Sequence, residues 1–125
     1  MKILVVEDDP GIRQGIVDFL AFEGYEVDVA RDGEEALSYL RRARPSLIVL
    51  DLVMPVMNGP QLLARIRAEH IAEGVPVAIM TAAMPGASSL PAADAYLTKP
   101  FDLDELLAVV ARHIGPPAAG GPATA

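Results

Sequence analysis

The chain has 125 residues, 52% of them hydrophobic, a formal charge of −7 and no cysteine. That is one domain of ordinary size with apolar surface enough for a single core. It excludes disulfides and thiolate metal sites, argues against direct nucleic-acid binding, which needs Lys and Arg on phosphates, and offers no apolar run near the ~20 residues that cross a bilayer.

Met1-Lys2 leads straight into Ile3-Leu4-Val5-Val6, a continuous apolar run of the kind that forms a buried central strand. No leader pattern precedes it, and the cytoplasm is the expected compartment. The run ends at Glu7-Asp8. Asp9-Pro10 then reads as a helix start, Asp as N-cap and Pro at the first helical position. Ile12, Ile16, Phe19 and Leu20 recur at helical spacing until Gly24 supplies a C-terminal cap. Tyr25 to Ala30 alternates polar and apolar, the pattern of a strand nearer the sheet edge. Asp32 caps a second helix, with Glu34 and Glu35 in its first turn and Arg41, Arg42 and Arg44 at its end, an order that suits the helix dipole.

Leu47-Ile48-Val49-Leu50 is the second fully apolar strand and ends at Asp51. A third helix carries Leu62, Leu63 and Ile66 and is expected to fade by Glu73-Gly74. Pro76 to Met80 is another apolar strand, followed by Thr81. Pro85, Gly86 and Pro91 break any long helix between Thr81 and Tyr96. A short strand at Tyr96-Leu97-Thr98 runs into Lys99-Pro100, and Asp102 to Glu105 resembles a capping box for the last helix. The folded unit is expected to span 1–114. Residues 115–125 hold only Gly, Pro, Ala and Thr, so they read as a disordered tail or linker stub.

Strands alternate with helices throughout, which predicts an α/β fold of the doubly wound (βα)5 flavodoxin-like type, a three-layer sandwich on a parallel sheet. The order 2-1-3-4-5 places the two most apolar strands side by side in the centre. Their carboxyl ends then flank the switch point where such sheets bind ligands. Glu7, Asp8 and Asp51 share that crevice, with Thr81 and Lys99 beside it.

Two carboxylates ~5 Å apart repel by roughly 3 kcal/mol at an effective dielectric of about 20. Three of them need a cation, and an all-oxygen site without Cys or nearby His favours Mg²⁺, with Mn²⁺ possible. Phosphate oxygens are the usual companions of such a metal. Asp51, ending the most apolar strand, is the best nucleophile candidate, since a carboxylate can take a phosphoryl group as an acyl phosphate. Lys99 and the Thr81 hydroxyl would hold the other phosphoryl oxygens. Lys2 and Lys99 are the only lysines. A retained lysine among arginines fits a buried point-charge donor.

Val-Val-Glu7-Asp8, Leu-Asp51-x-x-Met-Pro55-x-x-x-Gly59, Met-Thr81-Ala and Tyr96-Leu-Thr-Lys99-Pro100-Phe, taken in order, resemble the response-regulator receiver domain of two-component signalling. The resemblance covers residues 2 to about 114 and implies a phosphorylation-dependent switch rather than an enzyme acting on other substrates. It implies that Asp51 accepts phosphate from a sensor histidine kinase or phosphotransfer protein. Asp8 would bind Mg²⁺ directly, Glu7 through water, and the backbone carbonyl of Val53 would be a further ligand. Lys99 would pair with the phosphate, its bond to Pro100 held cis. Thr81 and Tyr96 would be the switch pair that alters a surface for an effector domain or output partner.

Blander readings compete with each assignment. Asp9 is better read as a cap than as a further ligand. Glu7 could be a solvated strand end, Thr81 a strand terminus, Tyr96 core packing, and Met54, Met57, Met80 and Met84 gap-fillers. His70 and His113 suit helix ends and receive no role. The segment between Thr81 and Tyr96 is a few residues shorter than the family's usual fourth helix. We expect it to be loop-like or degenerate, mobile until phosphorylation or a partner orders it, which puts the usual output face in doubt. Val53 and Ala83 could modulate how water reaches the phosphate. The alternative function is a protein-binding module of the same fold that ignores phosphate. A phosphatase is disfavoured because Val53 stands where a second acid would act, and nucleotide binding because no Gly-rich loop follows the first strand.

Overall fold

The computed structural model describes residues 2–54, 56–82 and 93–116. Along the chain these form β1 (Lys2–Val6), α1 (Pro10–Phe22), β2 (Glu26–Ala30), α2 (Gly33–Arg42), β3 (Leu47–Asp51), α3 (Gly59–Ala68), β4 (Val77–Thr81), β5 (Ala95–Thr98) and α4 (Leu103–Ile114). The strands make one parallel sheet in the order β2-β1-β3-β4-β5, as expected from the hydrophobic pattern. The degenerate fourth helix and its mobility, Ala83, Met84, Pro55 and the tail from residue 117 on fall outside the described residues.

Alternation along the central strands divides the core in two. Leu4, Val6, Ile48, Leu50, Val77 and Ile79 meet Ala36, Leu37 and Leu40 of α2 and Leu62, Leu63 and Ile66 of α3. On the opposite face, Ile3, Val5, Leu47, Val49, Ala78, Met80 and Leu97 meet Ile16 and Leu20 of α1 and Leu106 and Val110 of α4. Burial on both faces explains why β1 and β3 read as unbroken apolar runs. Each fully buried aliphatic side chain contributes about 1.5–3 kcal/mol.

The helix ends carry the expected chemistry, apart from Arg44, which lies beyond the end of α2 at Arg42, and the end of α3. Asp9 Oδ1 accepts from the Ile12 N–H at 2.9 Å and Asp32 Oδ1 from the Glu35 N–H at 2.8 Å. Asn58 and Gln61 cap α3 reciprocally: the Gln61 N–H donates to Asn58 Oδ1 at 3.0 Å and the Asn58 N–H to Gln61 Oε1 at 2.9 Å. At its other end α3 stops at Ala68, well before Glu73-Gly74. His70 adopts φ +56. The His70 N–H bonds to Arg67 O at 3.3 Å and the Ile71 N–H to Ile66 O at 2.8 Å. This is a Schellman ending with His where glycine is usual. Ile66 and Ile71 pack in the same core cluster, so their burial offsets the strain of a non-glycine left-handed residue.

Candidate functional site

Register brings the polar strand ends together. Val6 pairs with Leu50, which sets Glu7 level with Asp51 one step further on. Asp51 in turn pairs with Met80, and Thr81 with Thr98, so Lys99 leaves β5 just beyond Thr81. Glu7, Asp51 and Thr81 each end a run of buried residues. The apolar strands therefore determine where the acids emerge.

Glu7 is only 1% exposed and Asp51 6%, while Asp8 lies at the surface. The three residues each offer a carboxylate oxygen within 4.8 Å of the others. Lys99 Nζ donates to Glu7 Oε1 at 2.9 Å and stands 3.4 Å from Asp51 Oδ2. The second Glu7 oxygen accepts from the Asp9 N–H at 3.2 Å. Burial pushes the Glu7 carboxyl above its ordinary value; the Lys99 bond opposes that rise and neighbouring Asp51 adds to it. For Lys99 burial works against the charge, but the bond to Glu7 and the field of Asp51 outweigh it, and its pKa rises. Three acids and one ammonium leave an excess of negative charge, and the ligand set is all oxygen. Those donors fit a hard divalent cation.

Thr81 is buried at the end of β4, and its carbonyl accepts from the Lys99 N–H at 2.6 Å. The Lys99–Pro100 peptide is cis. Tyr96 stands apart from the acids: it is 37% exposed, and its hydroxyl accepts from the Ala93 N–H at 3.0 Å. Val53 presents a side chain 78% exposed beside the crevice, its own N–H reaching toward Asp51 Oδ1 at 3.4 Å. Asp9 is a cap, as the sequence indicated, and donates its N–H to Glu7. Gly59 seats the N-terminus of α3 against the end of β3; a Cβ there would lie 2.9 Å from both Asp51 O and Leu52 Cα.

One neighbour of the site was not legible beforehand. Arg13 Nη1 donates to Glu7 O at 3.0 Å and to Asp8 O at 3.3 Å. In the sequence it is a lone cation on an amphipathic helix, and only the fold shows which way it points.

The response regulator receiver domain model matches residues 3–111, and the chain belongs to that family. A response regulator, MprA of Mycobacterium leprae, is 38% identical over 112 residues, 86% of this chain and 48% of that protein. The chain thus spans about half the length of the curated relatives it matches. The response regulator TrrA of Thermotoga maritima, solved with Mg²⁺ and BeF, superposes with a TM-score of 0.81 at 36% identity, covering 90% of this chain and 98% of that one. A receiver domain from a sensor histidine kinase of Pseudomonas aeruginosa, with magnesium coordinated in its active-site cleft, gives 0.84 at 34% identity, covering 91% and 97%.

Proposed function

We propose that this receiver domain is a phosphorylation-dependent switch whose phosphoacceptor is Asp51. The observation that supports this best is the convergence of Glu7, Asp8 and Asp51 within 4.8 Å of one another, with the Lys99 ammonium on Glu7 and Asp51. An Asp51 oxygen attacks the phosphorus of a kinase or phosphotransfer-protein phosphohistidine; the new O–P bond forms as the N–P bond breaks, and its electron pair returns to the departing imidazole. Mg²⁺, when bound, neutralises charge on the transferring group. Asp8, Asp51 and the Val53 carbonyl would hold it, with Glu7 acting through water; Mn²⁺ suits the same donors. Lys99 places its ammonium on one phosphoryl oxygen and the Thr81 hydroxyl takes another, so that catalysis is mostly placement and charge.

Thr81 and Tyr96 would then carry the signal, Tyr96 leaving its outward position as Thr81 closes on the phosphate. The donor would approach over an apolar groove of 420 Å³ between α1 and the β5–α4 loop, lined by Ile12, Ile16, Lys99, Phe101 and Leu103. The receiver unit would comprise residues 1–114, with 115–125 a tail or linker toward an effector domain or output partner in the cytoplasm, without contact to nucleic acid or membrane. No helix among the described residues is long and apolar enough to cross a membrane.

Incubation with a small acyl phosphate and Mg²⁺ tests this directly. The native chain should gain the mass of one phosphoryl group and Asp51→Asn none. An unchanged native mass would instead favour a binding module that ignores phosphate.

A further inference from the structure

The three acids are not held equally. Glu7 is fixed by Lys99, by the Asp9 N–H and by its own N–H on Ala30 O at 3.1 Å. Asp51 is fixed by the β3 ladder and by Lys99. Asp8 has neither kind of support: it lies past the end of β1, it is exposed, and its carboxylate accepts no hydrogen bond among the described residues. Among the described residues its direction is set by its backbone alone. That backbone is where Arg13 acts. The Glu7 and Asp8 carbonyls belong to the peptides on either side of the Asp8 Cα, and one guanidinium nitrogen, from a partly buried side chain one turn into α1, bonds both.

We propose that Arg13 is a positioning residue for the divalent cation, clamping both peptides that flank Asp8 so that its carboxylate faces Glu7 and Asp51 before the ion arrives. This rests on the reading of those acids as the Mg²⁺ site. Losing an outer partner of this kind typically costs about 10–100-fold in metal affinity, because such partners decide how much ordering is left to the binding step. Charge alone predicts the opposite sign, since a cation beside the acids repels Mg²⁺. The two effects can therefore be separated by experiment.

Calorimetric titration of Mg²⁺ into the native chain, Arg13→Gln and Arg13→Lys makes the separation, with urea unfolding and amide exchange at Asp9 measured on the metal-free proteins. The clamp requires Mg²⁺ affinity to fall about tenfold in Arg13→Gln. It also requires faster Asp9 exchange without metal, and Arg13→Lys several-fold weaker than native, since an ammonium on a flexible stem keeps the charge but not the fixed donor directions of the guanidinium. Tighter binding by Arg13→Gln with a native-like Arg13→Lys would overturn it in favour of plain repulsion. A lowered urea midpoint with unchanged Mg²⁺ affinity would overturn it in favour of a purely structural bond. A native chain that takes up no Mg²⁺ would overturn the metal reading itself, whereas native binding matched by both variants would overturn only the role of Arg13.

Discussion

Lys99→Met removes the ammonium from the acid pocket while keeping most of the side-chain volume. At the observed separations of 2.9 Å to Glu7 and 3.4 Å to Asp51, the lost attractions are each about 5–6 kcal/mol at an effective dielectric of about 20. The carboxylates left behind repel by about 3.5 kcal/mol at 4.8 Å. Glu7, almost wholly buried, will not stay charged against that. It takes up a proton instead, and this limits the damage. Protonating a carboxyl whose ordinary value is 4.5 costs about 3.4 kcal/mol at pH 7 and under about 1 kcal/mol at pH 5.

The metal-free variant should therefore be about 3 kcal/mol less stable than native at pH 7, a loss of about 10 °C in Tm for a chain of this size. The sign follows from linkage. A carboxyl raised in the folded state contributes stability that is fully present below its unfolded pKa and is lost as pH rises through its folded value. The deficit should accordingly shrink as pH falls from 7 to 5. Mg²⁺ should restore more stability to the variant than it adds to the native chain, because a dication can do electrostatically what the ammonium did. Urea unfolding at the two pH values, with and without Mg²⁺, measures all of this. A deficit under about 0.5 kcal/mol at pH 7, or one equal at both pH values, would refute the reasoning.

Asp8→Asn should raise metal-free stability slightly, by up to about 1 kcal/mol, because the exposed acid is the member of the trio that Lys99 does not reach; the Mg²⁺-dependent rise in Tm should disappear with it. Gly59→Ala drives a Cβ to 2.9 Å from Asp51 O and Leu52 Cα, backbone atoms that cannot swing away. Urea unfolding should show a cost of about 1–3 kcal/mol, with slower uptake of phosphate from an acyl donor. Tyr39 donates its hydroxyl to Asp28 at 2.8 Å; burial first, then that bond, push its pKa up to about 12 from 10. Its contribution is fully present below pH 10 and lost between 10 and 12. The native chain should shed up to about 2.7 kcal/mol over that window that Tyr39→Phe does not, in matched alkaline unfolding curves.

The architecture was legible because β1 and β3 are apolar on both faces, and a strand with two buried faces can only be central. Once those two are adjacent, strand polarity alone gathers Glu7, Asp8 and Asp51, and their chemistry can be read without side-chain geometry. Asp9 and Asp32 were equally plain as caps, since a short acid before a helix has few other uses. The end of α3 was not. Its signal at Gly74 is the usual one, and the chain instead spends a left-handed His70, which only the packing of Ile66 against Ile71 can stabilise. Arg13 was hidden for a related reason: a helix pattern tells which positions are polar but not which loop lies above them.

The outward Tyr96 and the Lys99 bonds together say how a phosphoryl group could be felt at a distance. Lys99 touches the acids through its Nζ and β4 through its own N–H, which donates to Thr81 O. Tyr96 is three residues earlier on β5, with its hydroxyl on the Ala93 N–H. A phosphoryl group on Asp51 would give the ammonium a new partner and the Thr81 hydroxyl another, while the buried strands behind them leave little room to yield. Movement is then confined to what is exposed, and Tyr96 is such a group. A ligand shifts an equilibrium only by its differential interaction with the two states. That differential must exceed the worth of what holds Tyr96 outward, of which the hydroxyl's bond to the Ala93 N–H contributes about 1 kcal/mol, and two new charge-assisted contacts work against it. Tyr96→Phe, which lacks that bond, should therefore populate the inward ring more readily before any phosphate is present. A ring environment identical to native in proton NMR would break this link between site and surface.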